Sequence, residues 1–140
     1  MRILLDTNIV LDIALGRVPH LAYSADVFRK IDNELIYGFV TATTITDIYY
    51  VAKREKGHPI TIDFISNLIE IVDVIGIDRE IVIASLISDF ADFEDAMQSV
   101  SSRLNSIDYI ITRNQKDFIK SEIPAVSPKE LLVLLKKKKL

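Results

Sequence analysis

The sequence predicts an α/β fold, a three-layer sandwich in which helices lie on both faces of a mainly parallel sheet. Two observations support this prediction. Short apolar runs alternate along the chain with longer segments whose apolar residues recur at helical spacing. Polar residues of the kind that cap helices or begin loops directly follow several of the short runs. We therefore expect strands and helices to alternate, which is the arrangement that produces a parallel sheet.

Five short segments are predicted to be strands. The first is mostly apolar and ends at Asp6, and the second contains Tyr37, Phe39 and Val40, whose bulk favours extended backbone. The predicted strands are residues 2–5, 36–40, 72–77, 109–112 and 124–126.

The segments between these strands are predicted to be helices. The first follows Asp6 and stops at Gly16, and the last has Ser127 as N-cap and Pro128 as its first residue. The others are residues 21–31, 41–53, 61–69, 79–88 and 92–104. Helical spacing predicts two buried stripes. They consist of Leu21, Ala25, Phe28 and Ile31 in one helix, and of Phe93, Ala96, Met97, Val100 and Leu104 in another.

Composition limits the class of protein. The 140 residues include no cysteine, which excludes disulfides, thiolate metal sites and cysteine nucleophiles. The longest nearly apolar run, residues 81–87, is too short to cross a bilayer, and the apolar N-terminal run is too short for a signal sequence. No linker or repeat interrupts the chain. We expect a soluble, cytoplasmic protein with one domain over residues 1–140, including a short basic tail at 136–140.

Charge is distributed unevenly along the chain. The net charge of −3 argues weakly against a protein that coats nucleic acid. Basic residues cluster at 53–56 and 136–139, and acidic residues at 89–95. The acidic cluster suits a cation site, although a solvated helix start has the same composition. The lysines at 136–139 are expected to be solvated, with at most a weak attraction for RNA.

Several polar residues are placed where parallel α/β sheets bind ligands, outside the carboxyl ends of the strands. Asp6 directly follows the first strand, Asn114 and Asp117 follow the fourth, and Asp92 and Asp95 lie in the first turn of a helix. Clustered carboxylates repel one another unless a cation lies among them. Oxygen-rich sites of this kind suit Mg²⁺ or Mn²⁺, which can activate water to attack a phosphodiester.

Each acid also has a structural interpretation. Asp6 is a potential helix cap, although Thr7 and Asn8 are equally available. Asp92 fits a helix N-terminus better than a ligand, whereas the position of Asp95 beside the buried helix face favours a functional role. Asn114 and Asp117 taken alone are typical of a turn and a surface acid.

Other polar residues are assigned on position alone. Asp108 precedes a strand, and Asp78 makes an ordinary helix start, so both are predicted to be structural. His20 and His58 lie beside prolines without a partner at ligand spacing. Asp47 lies within a helix, where aspartate has poor propensity, and this leaves a structural and a functional role equally open.

Four motifs of the chain resemble those of PIN domains. Residues 3–12, ILLDTNIVLD, resemble the family's opening strand, and residues 92–98, DFEDAMQ, its third motif. Residues 109–118, YIITRNQKDF, resemble the fourth motif, and residues 123–128, IPAVSP, the closing segment. The motifs occur in the family's order and cover essentially the whole chain.

The resemblance implies a fold, an activity and partners. The implied fold is a mainly parallel sheet of about five strands between helices. The implied activity is Mg²⁺- or Mn²⁺-dependent cleavage of RNA, often by a homodimeric toxin that pairs with an antitoxin protein. The implied metal ligands are Asp6, Asp95 and Asn114. Asp47 and Asp117 complete the implied catalytic set, and Asp92 and Thr112 are secondary candidates.

The sequence departs from the family pattern at two positions. The second acid is usually a glutamate on the helix after the second strand, and here Asp47, one methylene shorter, occupies that place. Asn114 is neutral where many relatives have aspartate. Both changes reduce the charge or the reach of the site. They leave open an alternative function, a weakly active or inactive PIN-like domain that binds RNA or protein.

A phosphoacceptor receiver domain is a third possibility, with Asp78 as its second acid. It is disfavoured because the first strand supplies only one acid, and because residues 127–129 start a helix where a receiver presents a lysine from a strand end.

Overall fold

The computed structural model, which describes residues 1–140, has a five-stranded parallel sheet at its centre. The strand order is β3-β2-β1-β4-β5, and every neighbouring pair is parallel. The strands are β1 Arg2–Leu5, β2 Tyr37–Thr41, β3 Val72–Ile75, β4 Tyr109–Ile111 and β5 Ala125–Val126. The predicted α/β fold is confirmed, and the sheet is parallel throughout.

Helices cover both faces of this sheet. They are α1 Thr7–Leu15, α2 Leu21–Asp32, α3 Ala42–Lys56, α4 His58–Ile71, α5 Arg79–Leu86, α6 Phe93–Leu104 and α7 Pro128–Lys137, with a 3-10 turn at Gln115–Phe118. Side chains of β1 alternate between the faces, as the pleat requires. Ile3 and Leu5 pack with residues of α1, α2, α3, α4 and α7, whereas Leu4 packs on the opposite face with Phe118 of the 3-10 turn. The sheet is therefore the middle layer of three, with helices packed on each of its faces.

The boundaries of several predicted elements differ from those observed by one to three residues, and α4 and β3 show the causes. Helix α4 begins at His58 rather than Thr61, because Pro59 fits the first turn, where no backbone N–H needs a partner. Strand β3 ends at Ile75 rather than Ile77, where its pairing with β2 ends. The first helix ends as predicted, since Gly16 adopts a left-handed conformation with φ of 62° that suits a helix C-terminus.

Two predicted buried stripes are partly wrong. In α2 the buried residues are Ser24, Val27, Phe28 and Ile31, while Leu21 and Ala25 are only partly buried. In α6, Phe93 and Leu104 are 43% and 44% exposed. Helix α6 instead buries a continuous run from Ala96 to Ser102 that includes Gln98 and three serines. It packs against α5 and the 3-10 turn, and Gln98 reaches Asp6 at the end of β1, so its buried surface is wider than one apolar stripe.

The basic C-terminal segment is partly helical. Lys136 and Lys137 form the last turn of α7, and their side chains are exposed. Beyond the helix, the Leu140 backbone N–H donates to the Leu135 carbonyl at 2.8 Å, and Lys30 Nζ donates to the Leu140 oxygen at 3.3 Å. No helix of the protein combines the length and apolar character that a membrane span requires.

A buried ion pair joins α1 to the segment after β4. Asp12 is fully buried, and Arg113 donates to its two carboxylate oxygens from Nε at 3.0 Å and from a terminal nitrogen at 3.1 Å. A second terminal nitrogen of Arg113 lies 3.3 Å from Nε2 of His20. Bidentate geometry of this kind fixes both partners, so the pair holds the residues that follow β4 against α1.

We expect Asp12→Ala to lower the free energy of unfolding by about 3 kcal/mol, because the substitution leaves a largely buried guanidinium without its counter-ion. Urea denaturation followed by circular dichroism measures the change. The control is Asp26→Ala, which removes an exposed ion pair with Arg29 and is expected to cost less than about 1 kcal/mol. Equal losses in the two variants would contradict a stabilising role for the buried pair.

Candidate functional site

An acidic cleft lies at the carboxyl edge of the sheet. Its volume is about 500 Å³, which is within the range of small-ligand sites. The lining residues come from the end of β1, from α1 and α3, from the start of α6 and from the segment after β4. They are Asp6, Thr7, Asn8, Asp47, Tyr50, Val51, Arg54, Asp92, Glu94, Asp95, Asn114 and Asp117. Six of these twelve side chains are carboxylates, so the cleft is strongly acidic.

Asp6 is the most deeply placed of these acids, and three donors hold its carboxylate. One oxygen accepts from the Thr7 backbone N–H at 2.8 Å and from Gln98 Nε2 at 3.2 Å, and the other accepts from Thr112 Oγ1 at 2.8 Å. Burial raises the pKa of Asp6, and the three hydrogen bonds oppose that rise. Asp6 is also the N-cap of α1. The structural and the functional interpretation of this residue are therefore compatible.

The segment after β4 brings two further polar side chains to the cleft. Thr112 is fully buried behind Asp6, and its Oγ1 also accepts the Asn114 backbone N–H at 3.0 Å. The Asp117 N–H donates to the Asn114 carbonyl at 3.0 Å, which sets the start of the 3-10 turn. Asn114 and Asp117 thereby line the cleft, while Thr112 supports Asp6 from behind.

The first turn of α6 supplies the acids on the opposite side. Asp92 is the N-cap of α6 and accepts the Asp95 backbone N–H at 2.9 Å. Burial raises the pKa of Asp95 to about 7, and the negative charges of Asp92, Asp6 and Asp117 contribute to the same rise. The helix N-terminus favours acids in its first turn. In Asp95, burial and the neighbouring carboxylates outweigh that effect.

Glu94 is a cleft residue that the sequence did not single out. Its carboxylate accepts a hydrogen bond of 3.1 Å from Thr7 Oγ1, which also lies 2.9 Å from Thr44 Oγ1. Burial raises the pKa of Glu94 to about 7, and the hydrogen bond and charge of Asp47 raise it as well, whereas the hydrogen bond from Thr7 opposes the rise. Glu94 and Asp47 thus meet from two helices that are far apart in sequence.

The structure brings six of the seven predicted site residues into one cleft. Asp6, Asp47, Asp92, Asp95, Asn114 and Asp117 line it, and Thr112 lies behind Asp6. The acidic cluster at residues 89–95 was the only signal that could have identified Glu94, and that cluster has a ready explanation in the helix dipole. The contacts of Thr7 and Gln98 have no local sequence signal.

The acids assigned to structural positions lie elsewhere. Asp78 is the N-cap of α5 and accepts the Ile81 backbone N–H at 2.9 Å. Asp108 accepts the Arg2 backbone N–H at 2.8 Å at the opposite edge of the sheet. His58 is the first residue of α4, and its Nδ1 lies 2.8 Å from the Tyr49 hydroxyl. Neither acid and neither histidine lines the acidic cleft.

The donor chemistry of the cleft fits a divalent cation with oxygen ligands. Arg54 is the only basic side chain that lines it, so the protein alone does not neutralise the six carboxylates. No group of three or more His, Asp or Glu side chains is placed to hold a metal ion by itself. The carboxylate and amide oxygens of the cleft are of the ligand type that Mg²⁺ takes, and Mg²⁺ typically binds one or two carboxylates and keeps several waters.

The fold and the cleft define an α/β protein whose carboxylates gather at the carboxyl edge of a parallel sheet. The family model described as the PIN domain matches residues 2–116, most of the chain. The chain therefore belongs to the PIN-domain family, as its motifs predicted. No curated protein sequence matches it.

Solved structures show the same fold at low sequence identity. VapBC2 from Rickettsia felis, bound to a DNA fragment from its promoter, aligns with a TM-score of 0.67 and 10% identity, covering 91% of this chain and 98% of the other. A toxin–antitoxin complex from Klebsiella pneumoniae aligns with a TM-score of 0.66 and 23% identity, covering 89% of this chain and 96% of the other. VapC20 from Mycobacterium tuberculosis is described as a toxin that cleaves the sarcin–ricin loop. It aligns with a TM-score of 0.62 and 13% identity, covering 77% of this chain and 86% of the other.

The raised pKa values predict that the metal-free protein becomes less stable as the pH rises from about 4 to about 7. Across that range, the unfolded chain releases protons from Glu94 and Asp95 that the folded chain still holds. This stabilising contribution is complete below the unfolded pKa values and is lost as the pH passes the folded values near 7. Thermal unfolding in EDTA measures the effect, with a variant carrying both Glu94→Gln and Asp95→Asn as control. We expect the melting temperature of the double variant to fall less over this pH range. Equal slopes of melting temperature against pH in the two proteins would show that the pKa values of these carboxylates are not raised.

Proposed function

We propose that the protein is an endoribonuclease that hydrolyses RNA phosphodiester bonds with the help of Mg²⁺ or Mn²⁺. The observation that carries the proposal is the convergence of six carboxylates and Asn114 from four parts of the chain on one cleft at the carboxyl edge of the sheet. Family membership supports it, because the PIN-domain model matches residues 2–116, a range that contains every cleft residue except Asp117.

The residues of the cleft would have two roles, holding the cation and orienting Asp6. Asp6, Asp95 and Asn114 would hold the cation, with Asp117 beside them and Asp92 as a secondary acid at the start of α6. A bound divalent cation neutralises charge on the phosphodiester and lowers the pKa of the attacking water. Thr112 and Gln98 orient Asp6 by donating to its two oxygens. Such supporting donors commonly contribute 10–100-fold, roughly, to metal affinity or activity.

Asp47 and Glu94 would act together as the remaining acid of the site. Aspartate at position 47 is one methylene shorter than the glutamate usual in the family. Glu94 approaches from α6, and the nearby carboxyl group of Asp47 helps to raise its pKa, so the two groups can share a proton. We propose that this pair accepts or shares a proton near the cleft, or holds a water of the cation shell, a role that a single longer side chain fills elsewhere.

We also propose that the protein is the toxin of a toxin–antitoxin pair. One similar solved structure is described as a toxin–antitoxin complex and another as a toxin, although their identity to this chain is low. Growth of a bacterial host that expresses the chain alone, or together with the product of an adjacent gene, tests this role. Growth unaffected by the chain alone would contradict it.

The nuclease proposal predicts that unmodified protein cleaves labelled RNA in Mn²⁺ and that EDTA abolishes the cleavage. Asp6→Asn should abolish it as well, because a neutral amide in this position attracts a cation far less. The control is Asp108→Asn, which changes an acid at the opposite edge of the sheet and should leave cleavage unchanged. An intact RNA with unmodified protein would favour the alternative, an inactive PIN domain that only binds RNA or protein.

The proposed pairing of Asp47 and Glu94 predicts non-additive losses. We expect Asp47→Asn and Glu94→Gln each to reduce the rate of RNA cleavage, and the double variant to be little worse than either, because residues that act as a unit lose their function together. Single-turnover rates in saturating Mn²⁺ measure the losses. Glu122→Gln, an exposed acid paired with Arg103, is the matched control. Independent, multiplicative losses would contradict the pairing.

A further inference from the structure

One stripe of helix α3 carries an aromatic ring and a guanidinium into the acidic cleft. Asp47, Tyr50, Val51 and Arg54 follow one another at i, i+3, i+4 and i+7, which places them on one face of the helix. All four line the cleft. Asp47 belongs to the proposed catalytic set, whereas Tyr50 and Arg54 are not oxygen ligands for a cation and lie farther along α3.

The ring of Tyr50 is exposed and yet supported. The residue is 60% exposed, and its ring lies edge-to-face against that of Tyr49, with centroids 5.2 Å apart and planes at 75°. The Tyr49 hydroxyl lies 2.8 Å from Nδ1 of His58, and this contact holds the ring of Tyr49 in place. Aromatic rings that remain open to solvent at the edge of a binding cleft are the groups on which bases of single-stranded nucleic acid stack.

The guanidinium of Arg54 has no protein partner. It makes no hydrogen bond and no ion pair, although six carboxylates line the same cleft. The dipole of α3 favours cations in its last turn, which accounts for Lys53 and Lys56 as readily as for Arg54. It does not account for the position of Arg54 on the cleft side of the helix. Its donors are free for an external anion, and their planar fork matches a phosphate.

We propose that Tyr50 and Arg54 form a binding subsite for one nucleotide of single-stranded RNA, with the base on Tyr50 and a phosphate on Arg54. The subsite rests on the proposed nuclease function and specifies its substrate as single-stranded. Helix geometry places Arg54 roughly 10 Å along the axis from Asp47, so Arg54 binds a phosphate that neighbours the one at the carboxylates. In a duplex the bases are paired and stacked inside the helix, where Tyr50 cannot reach their faces.

The experiment measures binding of a short oligoadenylate RNA that contains 2-aminopurine, in CaCl₂, with the RNA checked for cleavage on a gel. Anisotropy gives the affinity, and quenching of 2-aminopurine reports stacking. We expect Tyr50→Ala to weaken binding about tenfold and to remove the quenching, whereas Tyr50→Phe keeps both. The control Tyr37→Ala removes a tyrosine that is also 60% exposed, at the start of β2 and the opposite edge of the sheet, and should change neither.

Arg54 is tested by the salt dependence of the same binding. We expect Arg54→Ala to weaken binding and to lower the slope of log affinity against log salt by about 0.7, the value for one phosphate contact on a single strand. Arg29→Ala, an exposed arginine of α2, should leave the slope unchanged.

Three outcomes would overturn the subsite or its preference for single strands, and a fourth separates it from the nuclease proposal. The proposal is overturned if unmodified protein does not bind the oligonucleotide. Unchanged affinity and quenching in Tyr50→Ala, together with an unchanged slope in Arg54→Ala, also overturn it and leave this face for a protein partner. Equal binding of a matched duplex RNA would overturn the preference for single strands. Binding that depends on both residues, without cleavage in Mn²⁺, would support the subsite while refuting the nuclease.

Discussion

The buried carboxylate of Asp6 is the constraint around which the rest of the structure is arranged. It accepts hydrogen bonds from Thr7 in α1, from Thr112 after β4 and from Gln98 in α6. A buried charge without such donors would be strongly unfavourable. The three donors are brought to Asp6 only if β4 lies beside β1 and α6 packs across their ends. The register of Ile111 beside Leu5 satisfies the first condition, and the burial of residues 96–102 of α6, with Gln98 bonded to Asp6, satisfies the second.

The remaining acids extend this arrangement at an electrostatic cost. The N-termini of α1 and α6 both lie at the cleft, where their helix dipoles favour negative charge. The pKa values of Glu94 and Asp95 are nevertheless raised to about 7. The helix termini therefore do not compensate for burial and mutual repulsion. Such a site attracts positive charge, and this electrostatic state supports the proposal that the cleft holds a cation.

Local patterns were sufficient to predict the sheet, because strands and helices differ in the period of their apolar residues. They also indicated Asp6 and Asp95, since the residue after a strand and the first turn of a helix have fixed places in a parallel α/β fold. Asn114 and Asp117 needed the family motif, because a turn sequence alone does not show which way its side chains point. The stripe predicted for α6 failed at Phe93 and Leu104, since helical period alone does not show how many neighbours cover a helix.

What the sequence could not provide were contacts between distant segments. Thr7 and Glu94 are separated by 87 residues and meet through a hydrogen bond between side chains. Asp12 and Arg113, separated by 101 residues, form the ion pair that holds the segment after β4. Neither pair has a periodic or compositional signature, because each depends on how α1, α6 and the end of β4 pack together. Asp12 in particular occupies an ordinary helical position, and only its complete burial distinguishes it from a surface acid.

Asp47, where the family usually has glutamate, also depends on a contact between distant segments. Considered alone, an aspartate in place of glutamate withdraws a carboxylate from the cleft by one methylene. In the folded protein, Asp47 still lines the cleft and meets Glu94, which Thr7 holds from the side of β1. Asp47 on α3 is shorter than a glutamate, but Glu94 on α6 is a longer acid beside it. Two carboxylates therefore line this side of the cleft. Under the proposed function, the role of the usual glutamate would therefore be shared by two acids on two helices.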